Sequence, residues 1–341
     1  MSRLEKLLAA LAVLPFGLGL SASGPAPVEG EVVFAFADPD IVESSGLIAH
    51  DGLFATVNDS GDGGRVFTVD PADGATVAET TWDGAPADVE SMALTPEGDV
   101  LVGDTGGNIS PRDSVEVYRV PFGQDGAVDP TTYELTYPDG THDSEALLIH
   151  PGTGQVLVVA KEFIGRLYAA PLDLDPDRPN RLKELDDEVL PITTDGAFFP
   201  DGNHLVLRGY VKAAVYTWPS LDQVGEEFYL PDQEQGEGIA VGDDGSVYLS
   251  SEGTNSEVLR IRLPAEVRDA MAGPEPEEKP DRDRPDRDDP ADEGGPVSDE
   301  TLDGDPGHDS SDVARPLWPW AVGGIVGVVV LVVLIRSLRP R

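Results

Sequence analysis

The chain has 341 residues, with 64 Asp and Glu against 23 Lys and Arg, and no cysteine. Disulfides and zinc–thiolate centres are therefore excluded. A formal charge of −41 repels phosphate backbones, so nucleic acid is not an expected partner.

In chain order, residues 1–23 read as a signal peptide. Arg3 and Lys6 precede an apolar core from Leu7 to Leu20, and Ser21, Ala22 and Ser23 supply a cleavage site. Residues 24–30 are a short linker, and the globular domain occupies 31–270. It opens with a lone predicted strand, Glu31–Asp38. Five similar units follow, each entered through an acidic residue: Glu43, Glu90, Glu145, Asp195 and Glu237, spaced by 47, 55, 50 and 42 residues.

Each unit reads as a series of short strands. The first (MALT, ALLIH, AFF, IAV) is joined to the second by a tight Gly-containing turn such as PEG, PGTG, PDG or DDG. The second strand is LFATV, VLVGD, VLVVA, HLVLR or VYLSS. The third carries an aromatic in one column, Phe67, Tyr118, Tyr168 and Tyr216, with Leu259 departing from it. A fourth strand follows in every unit but the last.

A period of 40–55 residues without helical periodicity is that of a propeller. The fold class is all-β, a five-bladed β-propeller. The orphan N-terminal strand completes the last blade and closes the ring, which removes open edges. The alternative is six blades, should the long unit 90–145 hide one.

Residues 271–316 form a Pro-rich acidic stalk. From Gly273 to Pro316, sixteen acids face five basic residues and apolar side chains are few, the composition of a disordered spacer. Leu317–Ile335 is uncharged for nineteen residues, enough for a transmembrane helix. Trp318 and Trp320 stand at its edge, and the basic tail 336–341 carries Arg336, Arg339 and Arg341. The positive-inside rule places that tail in the cytoplasm and the propeller outside, a single-pass protein of the cell membrane.

Five phrases carry a family resemblance: the repeated E-S/A-x-x-L, NDSG at Asn58–Gly61, GDTGGN at Gly103–Asn108, DSEAL at Asp143–Leu147 with a later Lys161, and GEGIA followed by Ser251–Gly253. Across residues 30–265 the chain resembles secreted bacterial propeller proteins of the phytase-like/esterase-like and TolB-like groups. The resemblance implies the architecture. The DDPA-type and NNFD-type signatures of calcium-dependent propeller phytases are absent from those residues, which argues against phytate hydrolysis.

In a propeller the innermost strands line a channel, and antiparallel second strands return the chain to the same face. Two columns of candidate residues converge there. One is the set of acids that open the units. The other, at the end of the second strand, holds Asn58 and Asp59, Asp104 and Asn108, Lys161 and Glu162, Arg208, and Ser251 and Glu252. Carboxylates crowded at one opening need compensation. Lys161 and Arg208 supply part of it, and a hard cation such as calcium, held by Glu43, Asn58, Glu90, Asp104, Glu145 and Glu237, supplies the rest. Asp104, Asn108, Lys161, Arg208 and Glu252 are the candidate ligand contacts. The same acids can instead serve the repeat, accepting N–H bonds from neighbouring loops. Glu90, Glu145 and His142 are the candidates for acid–base work, since no nucleophile elbow, P-loop or dinucleotide fingerprint is present.

The expected function is a membrane-anchored module that binds an extracellular ligand or protein, with calcium in its channel. The alternative is a metal-dependent hydrolase of a phosphoester, ester or lactone, using the same carboxylates.

Overall fold

The computed structural model describes residues 26–273, apart from 60, 108–111, 113 and 141. The expected leader, most of the stalk, Leu317–Ile335 and the basic tail lie outside the described residues. Among the described residues, no helix is long and apolar enough to cross a membrane.

The first strand, β1 (Gly30–Ala35), is followed by blade I: β2 (Ser44–His50), β3 (Leu53–Asn58), β4 (Arg65–Asp70) and β5 (Ala75–Trp82). Blade II is β6 (Ser91–Leu94), β7 (Asp99–Asp104) and β8 (Val115–Pro121), then, after the short β9 (Gly126–Val128), β10 (Thr131–Thr136). Blade III is β11 (Ser144–Ile149), β12 (Val156–Ala160) and β13 (Arg166–Ala169), then, after β14 (Asn180–Arg181), β15 (Lys183–Glu184). Blade IV is β16 (Asp195–Phe198), β17 (His204–Arg208), β18 (Lys212–Thr217) and β19 (Gln223–Tyr229). Blade V is β20 (Gly236–Val241), β21 (Val247–Ser251) and β22 (Glu257–Ile261).

The fourth strand of blade V is β1, which pairs antiparallel with β22 from Gly30 opposite Ile261 to Ala35 opposite Glu257. The two ends of the propeller sequence thus share one sheet, as the orphan strand predicted. The long unit 90–145 hides no sixth blade. Its extra residues include β9, which crosses back to run parallel with the outer strand β5 of blade I. In the same way β14 adds to β10, a parallel extension of blade II supplied by the next unit.

The inner strands β2, β6, β11, β16 and β20 touch in succession, and β20 returns to β2, so the ring is closed. Packing explains why five sheets make one body. Five apolar clusters fill the five wedges between neighbouring blades. Each wedge takes one member of the third-strand column: Phe67 between V and I, Tyr118 between I and II, Tyr168 between II and III, Tyr216 between III and IV, and Leu259 between IV and V. A helix, α1 (Ala265–Ala272), lies against β19 through the buried Val267. It begins where the strand pattern stops.

Candidate metal and ligand site at the channel mouth

Each inner strand starts at the same face of the ring, and a strand presents alternate residues to the channel. Main-chain bonds fix which residues are equivalent. The Glu90 N–H donates to the Gly103 carbonyl, and the Thr194 N–H donates to the Arg208 carbonyl in the matching place. The Ser45 hydroxyl donates to the Glu90 carbonyl at 2.8 Å, and the Thr194 hydroxyl to the Glu237 carbonyl at 3.0 Å. The innermost ring is therefore Ser45, Glu90, Glu145, Thr194 and Glu237, all buried. Two positions of the expected five-acid column are hydroxyls: the ring residue lies two residues after Glu43 in blade I and one before Asp195 in blade IV.

Glu43 stands two residues before the ring and is exposed. Its carbonyl accepts the Asp59 N–H, as the Asp88 carbonyl accepts Gly106 and the Asp143 carbonyl accepts Lys161. Glu43 is thus the counterpart of Asp88 and Asp143, which sequence reasoning passed over. Asp195 points the other way and is fully buried. Its Oδ1 accepts the Gly196 N–H and its Oδ2 accepts the Ile239 N–H of blade V, both at 2.7 Å. That is the repeat-stitching role.

The second column divides in the same manner. Asn58 Oδ1 accepts the N–H groups of Val42 and Glu43, and its amide donates to Asp62 and to the Asp40 carbonyl. Asp104 accepts the N–H groups of Ala87 and Asp88, and Arg112 donates to it at 2.7 Å. Both residues spend their oxygens on closing the loop into their own blade. Arg208 is fully buried and donates to the carbonyls of Gly209, Gly238 and Ser250 and to Gln233. Burial lowers its pKa to about 10. It bolts blade IV to blade V. Asn108 lies outside the described residues.

Lys161 does reach the mouth. Its ammonium donates to Glu145 Oε1 and lies 5.3 Å from the centre of the Tyr210 ring. Burial opposes its charge, but the bonds to Glu145 and Tyr210 win, and its pKa is raised. Glu252 is half-buried, and Gln235 donates to it at 2.7 Å. Its carboxyl is raised by burial, then by Asp59 and Glu43. His142 sits apart from the ring, its Nδ1 2.8 Å from Glu162 and its Nε2 2.9 Å from the Tyr168 hydroxyl.

The remaining acids converge between blades I, II and III. One oxygen each from Asp59, Asp88 and Glu90 lie within 4.8 Å of one another, and so do one each from Glu90, Asp143 and Glu145. Gly106 makes this approach feasible, since a Cβ there would collide with the Asp88 and Glu90 carboxylates. The loop that carries Gly106 is held by Arg112, by the Thr105 hydroxyl on the Ser144 carbonyl at 2.7 Å, and by the Gly107 N–H on Asp143 at 2.9 Å.

Crowding and burial have electrostatic consequences. Burial, then Asp59 and Glu145, push Glu90 up to about 10. Burial raises Glu237 to about 8, with Glu145 adding to it. Glu145 reaches about 7, burial outweighing Lys161, and Asp88 about 6, from burial, Asp59 and Asp143. Among the described residues, both Asp88 oxygens, Glu90 Oε1 and Glu145 Oε2 have no hydrogen-bond partner although buried. An unpaired buried carboxyl oxygen costs about 1–3 kcal/mol, more when charged.

On the opposite side of the acid ring the channel changes character. A cavity of about 220 Å³ is lined there by apolar inner-strand residues, including Leu47, Met92, Leu148, Phe198 and Val241.

No family model matches the chain, and no curated protein matches it. Among solved structures, it is similar to a streptogramin B lyase, with 13% identity, a TM-score of 0.38 and 67% of each chain covered. It is also similar to the virginiamycin B lyase of Staphylococcus aureus, with 12% identity, a TM-score of 0.38, and 67% of this chain and 69% of that one covered.

Proposed function

We propose that this protein is a membrane-tethered extracellular propeller that binds its ligand at the acidic mouth, with a calcium ion held between blades I, II and III. The observation that carries the reading is the set of buried, unpartnered oxygens on Asp88, Glu90 and Glu145, converging with Asp59 and Asp143. Hard oxygen donors of this kind suit calcium, and an ion would offset both their mutual repulsion and their missing hydrogen bonds. Asp59, Asp88, Glu90, Asp143 and Glu145 replace most of the ligand set expected from sequence. The leader-like start, the acidic spacer and the apolar Leu317–Ile335 followed by Arg336 support placement on the outer surface of the membrane.

Calcium titration of the full-length protein in detergent, by calorimetry and by thermal melts with and without chelator, tests this. A saturable heat and a raised melting temperature are expected. No heat and no shift would overturn the metal reading.

The competing reading is a hydrolase of a phosphoester, ester or lactone that uses the same cation. Glu145 favours it, since its pKa of about 7 is that of a general base and Lys161 holds it in place. Ester and phosphoester turnover by the calcium-loaded parent protein separates the two: turnover identifies an enzyme, and its absence leaves binding.

A further inference from the structure

Four of the eight large apolar side chains exposed among the described residues sit in loops on the mouth face: Val42, Phe163, Ile164 and Val211. Phe163 is 91% exposed, Val211 63% and Ile164 51%. Isolated exposed aliphatics are ordinary, but a phenylalanine standing almost wholly in water at the rim of a polar site marks an interaction surface.

The turn that carries Phe163 is anchored on both sides. On one flank, Glu162 receives His142 at 2.8 Å, and its carbonyl accepts the Ile192 N–H at 2.8 Å. On the other, Gly165 bridges to Val189. The side chains at the tip are presented by a held frame. Lys161, in the same turn, places its ammonium over the Tyr210 ring, which brings the neighbouring loop with Val211 alongside.

The charges around this apolar rim decide what can cover it. Arg166 is engaged by Asp139, Glu162 and Glu184, and Lys161 by Glu145. The carboxylates outnumber these two cations, and the channel acids stand beside them. An anionic bilayer and a second copy of this chain, whose net charge is −41, would both be repelled. A partner segment that mixes Lys or Arg with aromatic or aliphatic side chains meets both features.

We propose that the turn Glu162–Gly165, with Tyr210 and Val211, is a docking surface for a partner protein bearing such a basic, apolar segment. The inference rests on this face being the binding face and not on the cation.

The test uses full-length protein in nanodiscs of neutral lipid, with empty discs as the blank. Three fluorescent nine-residue peptides are titrated by anisotropy, alternating Lys with Phe, Glu with Phe, and Lys with Ser. The Lys/Phe peptide should bind at least tenfold more tightly than either control. Replacing both apolar residues at the tip (Phe163→Ser with Ile164→Ser) should weaken it at least tenfold and leave the melting temperature unchanged, because both side chains face water. Equal binding of the Lys/Phe and Glu/Phe peptides, or indifference to the double substitution, would overturn the proposal. So would variant-sensitive binding of the protein to anionic vesicles, which would identify a lipid surface instead. Repeating the titration in chelator separates this result from the calcium reading, since peptide binding should persist where calcium heat is abolished.

Discussion

Glu90→Gln is the sharpest perturbation of the proposed centre. Glu90 belongs to both three-acid groups, is 3% exposed, and has a carboxyl raised to about 10, so it is neutral at pH 7.5 without a cation. Gln has nearly the same shape and is also neutral, so in chelator the variant should melt within about 2 °C of the parent, a substitution of less than ~1 kcal/mol. With calcium the two should part. At a free concentration 100 times Kd, calcium stabilises the parent by about 2.7 kcal/mol. At about 2–4 °C per kcal/mol for a domain of this size, the melting temperature rises by about 5–11 °C. Loss of a ligand shared by both groups should weaken binding by about 100-fold or more, at the upper end of what even outer-shell changes cost. At the same calcium concentration the variant then gains only about 0.4 kcal/mol, a rise of about 1–2 °C. Differential scanning calorimetry in chelator and in calcium reads both quantities. A variant that keeps the parent's full calcium shift would refute the site. A variant that melts far lower in chelator would refute the neutral, unpaired state of Glu90.

Three other outcomes follow from the same geometry. In chelator, Asp88, Glu145 and Glu237 have folded pKa values of about 6, 7 and 8, above their unfolded values, so their contribution is fully present below pH ~4 and is lost as pH rises through those values. Stability, and with it the melting temperature, should therefore climb as pH falls from 9 to 5, by up to ~1.4 kcal/mol per pH unit for each group below its own folded pKa, with Glu90 adding to the slope across the range. Glu237→Gln should make the slope shallower between pH ~5 and 8, and an unchanged slope there would remove Glu237 as one of its sources. Arg208→Ala should lower stability in urea by about 3–5 kcal/mol, because the carbonyls of Gly238 and Ser250 lose a buried donor and blade IV loses its bolt to blade V. A loss under ~1 kcal/mol would contradict that role. Asp195→Asn should cost about 1–3 kcal/mol with or without calcium, since one of its two N–H contacts, to Gly196 or Ile239, loses its acceptor. A cost seen only in calcium would make Asp195 a ligand.

The inner hairpins were legible in the sequence for a physical reason. Strands such as β11 and β12 are buried along their whole length, so they read as apolar runs, and the turn between them has its own chemistry. The outer strands obey weaker rules. β15 is exposed and only two residues long, and β9 and β14 join neighbouring blades in parallel, a long-range pairing that no local pattern encodes. The candidate site is harder to read because the acid nearest each turn does not stand at the same strand position in every blade. Distance from the turn sets the register correctly. Counting six residues back from Asp51, Pro96, Pro151, Pro200 and Asp243 lands on Ser45, Glu90, Glu145, Thr194 and Glu237, the five that the main-chain bonds align. Two further residues back, the same face carries Glu43, Asp88 and Asp143, as the strand period of two requires.

That corrected register changes what the mouth can do. Five acids on a five-fold ring would focus charge on the channel axis, at equal distance from every blade. The hydroxyls of Ser45 and Thr194 are committed to the carbonyls of Glu90 and Glu237, which removes two of the five charges. The third blade's acid is held by Lys161 on its blade IV side, and its free oxygen remains on the side shared with Glu90 and Asp143. Charge is thereby displaced from the axis toward blades II and III, next to the Gly106–Gly107 backbone and the rim that carries Phe163. The proposed cation site and the rim that carries Phe163 therefore lie on the same face of the ring, so the two proposed contacts are separate tests of one binding face.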